Sequence, residues 1–189
     1  MVVGVLALQG DFEAHCAKLA KLGADCRLVR TPADLAGLDG LVMPGGESTT
    51  MTLGIEREGL AEPLRDLVRR GTPVLGTCAG LIMLDRDHLG LLDVRAERNA
   101  FGRQVRSFEA DLDLEGFGDA LRAVFIRAPW VAEVGDGVEV LASVDGRPVA
   151  VRKGNVMAVA FHPELTGDPR VHQWLVERIR SAGTAREAA

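Results

Sequence analysis

Residues 73–84, PVLGTCAGLIML, run a short apolar strand straight into an apolar helix, with Gly76 and Gly80 two residues either side of Cys78. Few backbones accept that pattern. A Gly-x-Cys-x-Gly joint calls for a sharp strand-to-helix turn, in which small neighbours make room and the central side chain stands above the end of a sheet. The pattern therefore predicts an α/β fold and a reactive sulfur together. The helix starting after Cys78 presents unpaired N–H groups and partial positive charge, which favour thiolate over thiol. A buried cysteine acting as a small hydrophobe explains the residue type. It leaves the two symmetric glycines unexplained.

The chain around this joint keeps the same rhythm. Residues 2–8 (VVGVLAL) are continuously apolar and valine-rich, as in a strand buried on both faces. Asp11 stands where a helix cap belongs, and the helix that follows carries Ala14, Leu19 and Leu22 as apolar positions before Gly23. Residues 26–29 and 41–43 read as further strands, the latter stopped by Pro44, Gly45 and Gly46. A helical region over residues 50–70, broken near Gly59, leads to the strand that delivers Cys78. Strand, helix, strand in this order means parallel pairing with crossover helices. Residues 92–161 change character, with short strand patterns separated by turn signals, and residues 138–144 and 148–152 read as a hairpin. A last amphipathic helix is expected over residues 169–179, and the small, polar tail over residues 183–189 is expected to fray.

The predicted fold class is thus α/β: a three-layer, mostly parallel central sheet flanked by helices, with additional antiparallel strands. At 189 residues the chain can bury a core of its own and reads as one domain, residues 1–189. A net charge of −5 argues against nucleic acid or an anionic membrane surface as a partner. No apolar run reaches bilayer length, and the N-terminus lacks a basic segment followed by a cleavable apolar core. With three cysteines in no framework spacing, the expectation is free thiols in a cytoplasmic protein. The cysteines and histidines also lack metal-ligand spacing, so neither a metal nor a cofactor is expected.

A thiolate that attacks a carbonyl needs a base, and the base needs an orienting group. Of the four histidines, His15, His88 and His172 read as surface or packing residues. His162 differs. It ends the apolar run VMAVAF and precedes Pro163 and Glu164, so a strand carries the imidazole to the C-terminal edge of the sheet, where open α/β sheets bind ligands. Residues i and i+2 of an extended segment project to the same side, which lets Glu164 accept a hydrogen bond from His162. Pro163 holds the backbone extended there. The run Pro44, Gly45, Gly46, Glu47, Ser48 follows a buried strand, and its glycines let a ligand approach the chain closely. An oxyanion formed during attack would find donors in the backbone N–H groups of Ala79 and Gly46. Ser48 also suits a plain helix cap.

In this chain order, PGGES, GTCAG and FHPE resemble the class I, or triad, glutamine amidotransferases. The segments GVLALQGDFEAH, LVMPGGESTTM, HLGLLDVRAERNAFGRQVRSFEADL, VFIRAP and FHPELTGD narrow the likeness to the glutaminase subunits of pyridoxal 5′-phosphate synthases, over nearly the whole chain up to the final helix. The resemblance implies that Cys78 is the nucleophile, His162 the acid and base, and Glu164 its orienting carboxylate. It implies that Gly46, Glu47, Ser48, Arg98, Ile126 and Arg127 line the site for L-glutamine, where an arginine fork suits the substrate carboxylate. It implies that Gln9 and Gly10 respond to a partner, the synthase (lyase) subunit, within a large hetero-oligomer that makes pyridoxal 5′-phosphate as product. The chain departs from that pattern in one place, since only Asp85, Arg86 and Asp87 separate the nucleophile helix from HLGLL. A cysteine peptidase on a similar scaffold, and a regulatory subunit that keeps the fold without the chemistry, are the alternative readings. The peptidase would need neither the GGES loop nor the arginines.

Overall fold

The computed structural model describes residues 1–98 and 107–187. The motif positions within residues 99–106 lie outside the described residues. Along the first half run β1 (Val2–Leu6), α1 (Phe12–Lys21), β2 (Asp25–Val29), a 3₁₀ turn (Pro32–Leu35), β3 (Gly40–Met43), α2 (Ser48–Arg57), α3 (Ala61–Arg69), β4 (Val74–Thr77) and α4 (Ala79–Leu84). The second half adds β5 (Val94–Glu97), β6 (Ser107–Leu112), β7 (Leu121–Ile126), β8 (Trp130–Val134), β9 (Glu139–Val144), β10 (Arg147–Lys153), β11 (Val156–Val159), a second 3₁₀ turn (Pro163–Leu165) and α5 (Arg170–Glu187).

The main sheet has the order β2-β1-β3-β4-β11-β10-β9. Neighbours from β2 through β11 pair in parallel, whereas β10 runs antiparallel to both β11 and β9. Every residue of β3, β4 and β11 is buried, as continuous apolar runs covered on both faces should be. Both α4 and α5 lie against β3 and β4. Two strands are about as wide as one helix, so the two helices must take opposite faces. β6 alternates exposed and part-buried residues and pairs with β7, while β5 pairs with β8, as two small antiparallel sheets.

Local signals explain the element ends. The Asp11 carboxylate accepts the Ala14 N–H at 3.1 Å and caps α1. The break between α2 and α3 falls at Gly59, whose φ of 66° suits a residue without a side chain. Asp145 and Gly146, at φ 50° and 73°, close the β9–β10 hairpin with the twist antiparallel strands prefer. The short connection after α4 is organised by the buried Asp85. Its Oδ1 accepts from the backbone of Asp87 and His88 and from the His88 ring, and its Oδ2 accepts the Ala96 N–H.

Two expectations do not hold. The last helix does not stop at residue 179 but runs on to Glu187, with Gly183 inside it. Cys16 and Cys26 are joined in a disulfide, with Cα atoms 5.3 Å apart, and Cys78 is the free cysteine. The pairing follows from the crossover itself, since α1 folds back along β2 and sets the two residues side by side. Among the described residues, no helix is long and apolar enough to cross a membrane.

Candidate active site

Four adjacent parallel strands, β1, β3, β4 and β11, end at one edge of the sheet, and each hands over to a segment of the site. The register shows how closely. Val159 of β11 lies opposite Thr77 of β4, and the Cys78 N–H donates to the Val159 carbonyl at 2.8 Å. The two strands therefore release Cys78 and His162 side by side, although 84 positions separate them in sequence (162 − 78).

Cys78 sits between β4 and α4 with φ 48° and ψ −106°, a conformation that residues with side chains rarely adopt. The flanking glycines make that turn possible. A Cβ on Gly80 would overlap the carbonyl oxygen of Met43, and one on Gly76 would come within 2.9 Å of the Gly80 backbone. The Cys78 sulfur lies 3.9 Å from the Ile126 carbonyl oxygen. Gly45 fills the gap beside the sulfur and the ring, since a Cβ there would stand 2.5 Å from His162 Cε1 and 3.1 Å from Cys78 Cβ.

His162 emerges just past β11, with its N–H bonded to the Val124 carbonyl at 2.8 Å. Phe161 beside it packs edge-on to Phe125, which stacks on Phe108, so aromatic contact fixes β7 against this segment. His162 Nδ1 lies 2.7 Å from Oε1 of Glu164, whose side chain is 1% exposed. Burial opposes charging of the ring, but hydrogen bonds to Cys78 and Glu164, with their charges, prevail and raise His162 to about 10. The ring is an imidazolium at neutral pH, shared between sulfur and carboxylate.

A cavity of about 280 Å³ opens over this pair, bordered by Gln9, Gly46, Glu47, Ser48, Cys78, Ala79, Arg98, Ile126, Arg127 and His162, with Ile82 and Pro129. The Glu47 carboxylate turns away to cap α2. It accepts from the Thr50 N–H, the Thr49 N–H and the Thr50 hydroxyl, which together hold it at about 2. Glu47 thus borders the cavity while its charge serves the helix, and Ser48 is the first residue of α2 instead of its cap. Gln9 Oε1 accepts the Glu47 N–H at 2.5 Å and presses on Gly46, while Gly10, at φ 101°, lies against the Gly45 carbonyl. Arg98 follows β5 and donates to the Thr49 hydroxyl at 3.1 Å. Arg127 follows Ile126 at φ 45°, the second strained non-glycine residue on the cavity wall. Among the described residues neither arginine has a carboxylate partner. Two guanidinium groups beside a nucleophile, neither neutralised by a carboxylate among the described residues, suit a small anionic ligand.

His15 belongs to this neighbourhood although the sequence reading set it among surface or packing residues. It is fully buried, and its Nε2 faces Oε2 of Glu164 at 3.4 Å. The signal was present, because His15 and Leu19 are four apart on the core face of α1. Nothing local indicated that a carboxylate from the other end of the chain would meet it. Among the described residues no group of three or more His, Cys, Asp or Glu side chains is arranged to hold a metal.

The SNO glutamine amidotransferase family model matches residues 5–181 of the chain. A pyridoxal 5′-phosphate synthase subunit PdxT from Mycobacteroides abscessus is 54% identical, the match covering 95% of this chain and 98% of that protein. A protein of the same name from a Parafrankia species is 56% identical, over 95% of this chain and 93% of its own length. A solved structure described as a glutamine amidotransferase superposes with a TM-score of 0.90 at 47% identity, covering 95% of this chain and all of that one.

Proposed function

The chain belongs to the SNO glutamine amidotransferase family, and on that premise we propose that it is the glutaminase subunit of a pyridoxal 5′-phosphate synthase. It hydrolyses L-glutamine to glutamate and ammonia and delivers the ammonia to a synthase subunit. The observation that carries the chemistry is the junction of Cys78, His162 and Glu164 at the end of two neighbouring parallel strands, facing a cavity bordered by Arg98 and Arg127, which have no carboxylate partner among the described residues.

In this reading Arg98 and Arg127 take the substrate α-carboxylate, while the walls formed by Gly46, Ser48 and Ile126 direct the side-chain amide towards the sulfur. The Cys78 thiolate attacks the amide carbon, and the backbone N–H groups of Ala79 and Gly46 hold the oxyanion. The His162 imidazolium, kept charged against Glu164, gives its proton to the departing ammonia, leaving a γ-glutamyl thioester. The neutral ring then takes a proton from water, whose oxygen attacks the thioester; the C–S bond breaks, the new carboxyl group loses its proton to solvent, and glutamate leaves with the Cys78 thiolate and the imidazolium restored.

Ammonia released without an acceptor is wasted, so hydrolysis is expected to wait for the synthase subunit, in a large hetero-oligomer. Gln9 is the gate in this reading. Its side chain accepts the Glu47 N–H and lies against Gly46, so its movement would free the loop that carries the Gly46 N–H. A glutaminase assay tests the whole reading. Turnover should be low for the isolated chain, rise mainly in kcat when synthase subunit is added, and vanish in Cys78→Ala although that variant still binds the synthase. Hydrolysis that persists in Cys78→Ala would refute the nucleophile, and equal turnover with and without partner would refute the gate.

A further inference from the structure

Behind the catalytic pair the carboxylate of Glu164 is used on one side only. Oε1 takes the His162 ring, whereas Oε2 is buried and, among the described residues, has no hydrogen-bond partner. The group that faces it is His15 Nε2, 3.4 Å away, which also lies 3.3 Å from the Thr77 hydroxyl. On its other side, His15 Nδ1 is 2.9 Å from His172 Nε2 of α5. Both imidazoles are completely buried.

This arrangement selects one tautomer. A bare Nε2 would aim a lone pair at the carboxylate, which is repulsive, so the proton of His15 must sit on Nε2. Nδ1 then has to accept, so His172 must carry its own proton on Nε2. Consistent with this, His172 Nδ1 has no partner among the described residues and needs none to donate to. The charged groups around His15 are Glu164 from the second 3₁₀ turn, His172 from α5, His162 past β11, and Lys18 one turn along α1. Desolvation outweighs the attraction of Glu164 and lowers His15 to about 4, and burial does the same to His172. Both rings are therefore neutral at pH 7, and each is able to pass on a single directed N–H.

We propose that His15 is a positioning residue for glutamine hydrolysis: as the neutral Nε2–H tautomer, set by His172, it keeps its ring N–H beside Oε2 of Glu164 and so holds that carboxylate aimed at His162. The chain His172, His15, Glu164, His162, Cys78 then runs from α5 through α1 to the nucleophile. Without His15, the outer oxygen of this buried carboxylate loses the polar N–H that stands 3.4 Å from it, and the support it lends to the imidazolium weakens.

The inference rests on the glutaminase reading only in its kinetic part, so the deciding measurement is spectroscopic. In the wild-type chain, ¹⁵N-histidine NMR at pH 7 should show His15 and His172 as neutral Nε2–H tautomers. In His15→Leu the midpoint of the His162 titration should fall by about one pH unit. His15→Gln, whose amide can place an N–H near the same point, should restore it to within a few tenths. Where the glutaminase reading also holds, His15→Leu should lose roughly tenfold in kcat with KM for glutamine unchanged. A purely structural role would lower the folded fraction and leave the His162 midpoint in place. That result, or His15 protonated on Nδ1 in the wild-type spectrum, would overturn the proposal. The wild-type spectrum decides even if His15→Leu does not fold.

Discussion

Cys78 is held in a backbone conformation that costs on the order of 1–3 kcal/mol, and that cost sets its sulfur where His162 can reach it. The consequence is an imidazolium raised to about 10 despite burial, with the Cys78 contact the largest of the raising influences and the Glu164 contact next. Replacing Cys78 by alanine leaves the desolvation in force and removes that largest support. The His162 titration midpoint, followed by ring-proton NMR in Cys78→Ala, is therefore expected to drop well below the wild-type value. A midpoint that stays put would mean that Glu164 alone holds the proton. At this scale the candidate residues were largely legible in sequence. Cys78 stood between glycines, and His162 and Glu164 stood two apart after an apolar run. Glu47 was legible only by position, because its carboxylate is spent on the N–H groups of Thr49 and Thr50.

At the scale of elements, the joint between β4 and α4 depends on close approach of two backbones. The site that a Cβ on Gly80 would enter is occupied by the Met43 carbonyl oxygen, which is backbone of β3 and cannot swing aside as a side chain would. Gly80→Ala is accordingly expected to lose about 1–3 kcal/mol of stability through overpacking, and to lose most glutaminase activity by shifting the elbow. Urea denaturation and the coupled glutaminase assay measure the two effects. Wild-type values in both would show that the joint has slack the structure does not suggest. The neighbouring elements were foreseen in kind and order, down to the break at Gly59 and the turn at Asp145-Gly146. The disulfide and the length of α5 were not. Whether two cysteines ten positions apart can bond depends on how a helix folds back along its strand, and whether a polar tail stays helical depends on the turns before it.

Over the whole molecule, the buried histidines give stability a pH dependence with two arms. His15 and His172 are lowered from an ordinary 6.5 to about 4, chiefly by desolvation, so between those values the unfolded chain binds more protons than the folded one. Stability should fall as the pH drops through that window, and these two groups contribute nothing further below it. His162 acts in the opposite sense. Its folded value lies above the unfolded one, so its contribution is complete below about 6.5 and is lost as the pH rises through about 10. The urea midpoint is expected to peak near pH 6.5 and decline on both sides, and replacing His15 and His172 together should flatten the acid arm alone. An unchanged acid arm in that double variant would assign the loss to surface carboxylates instead.

By itself the sequence determined the residues able to do chemistry and the order in which strands and helices would present them, because capping, hydrophobic period and glycine placement act within a few residues. It could not determine which elements become neighbours. Only the tertiary structure brought β11 beside β4, and so His162 beside Cys78, and set His15 of the first helix behind Glu164. The physical reason is that sheet order and helix docking are settled by burying one shared core and satisfying buried polar groups across it, and those demands have no signature in any short stretch of chain.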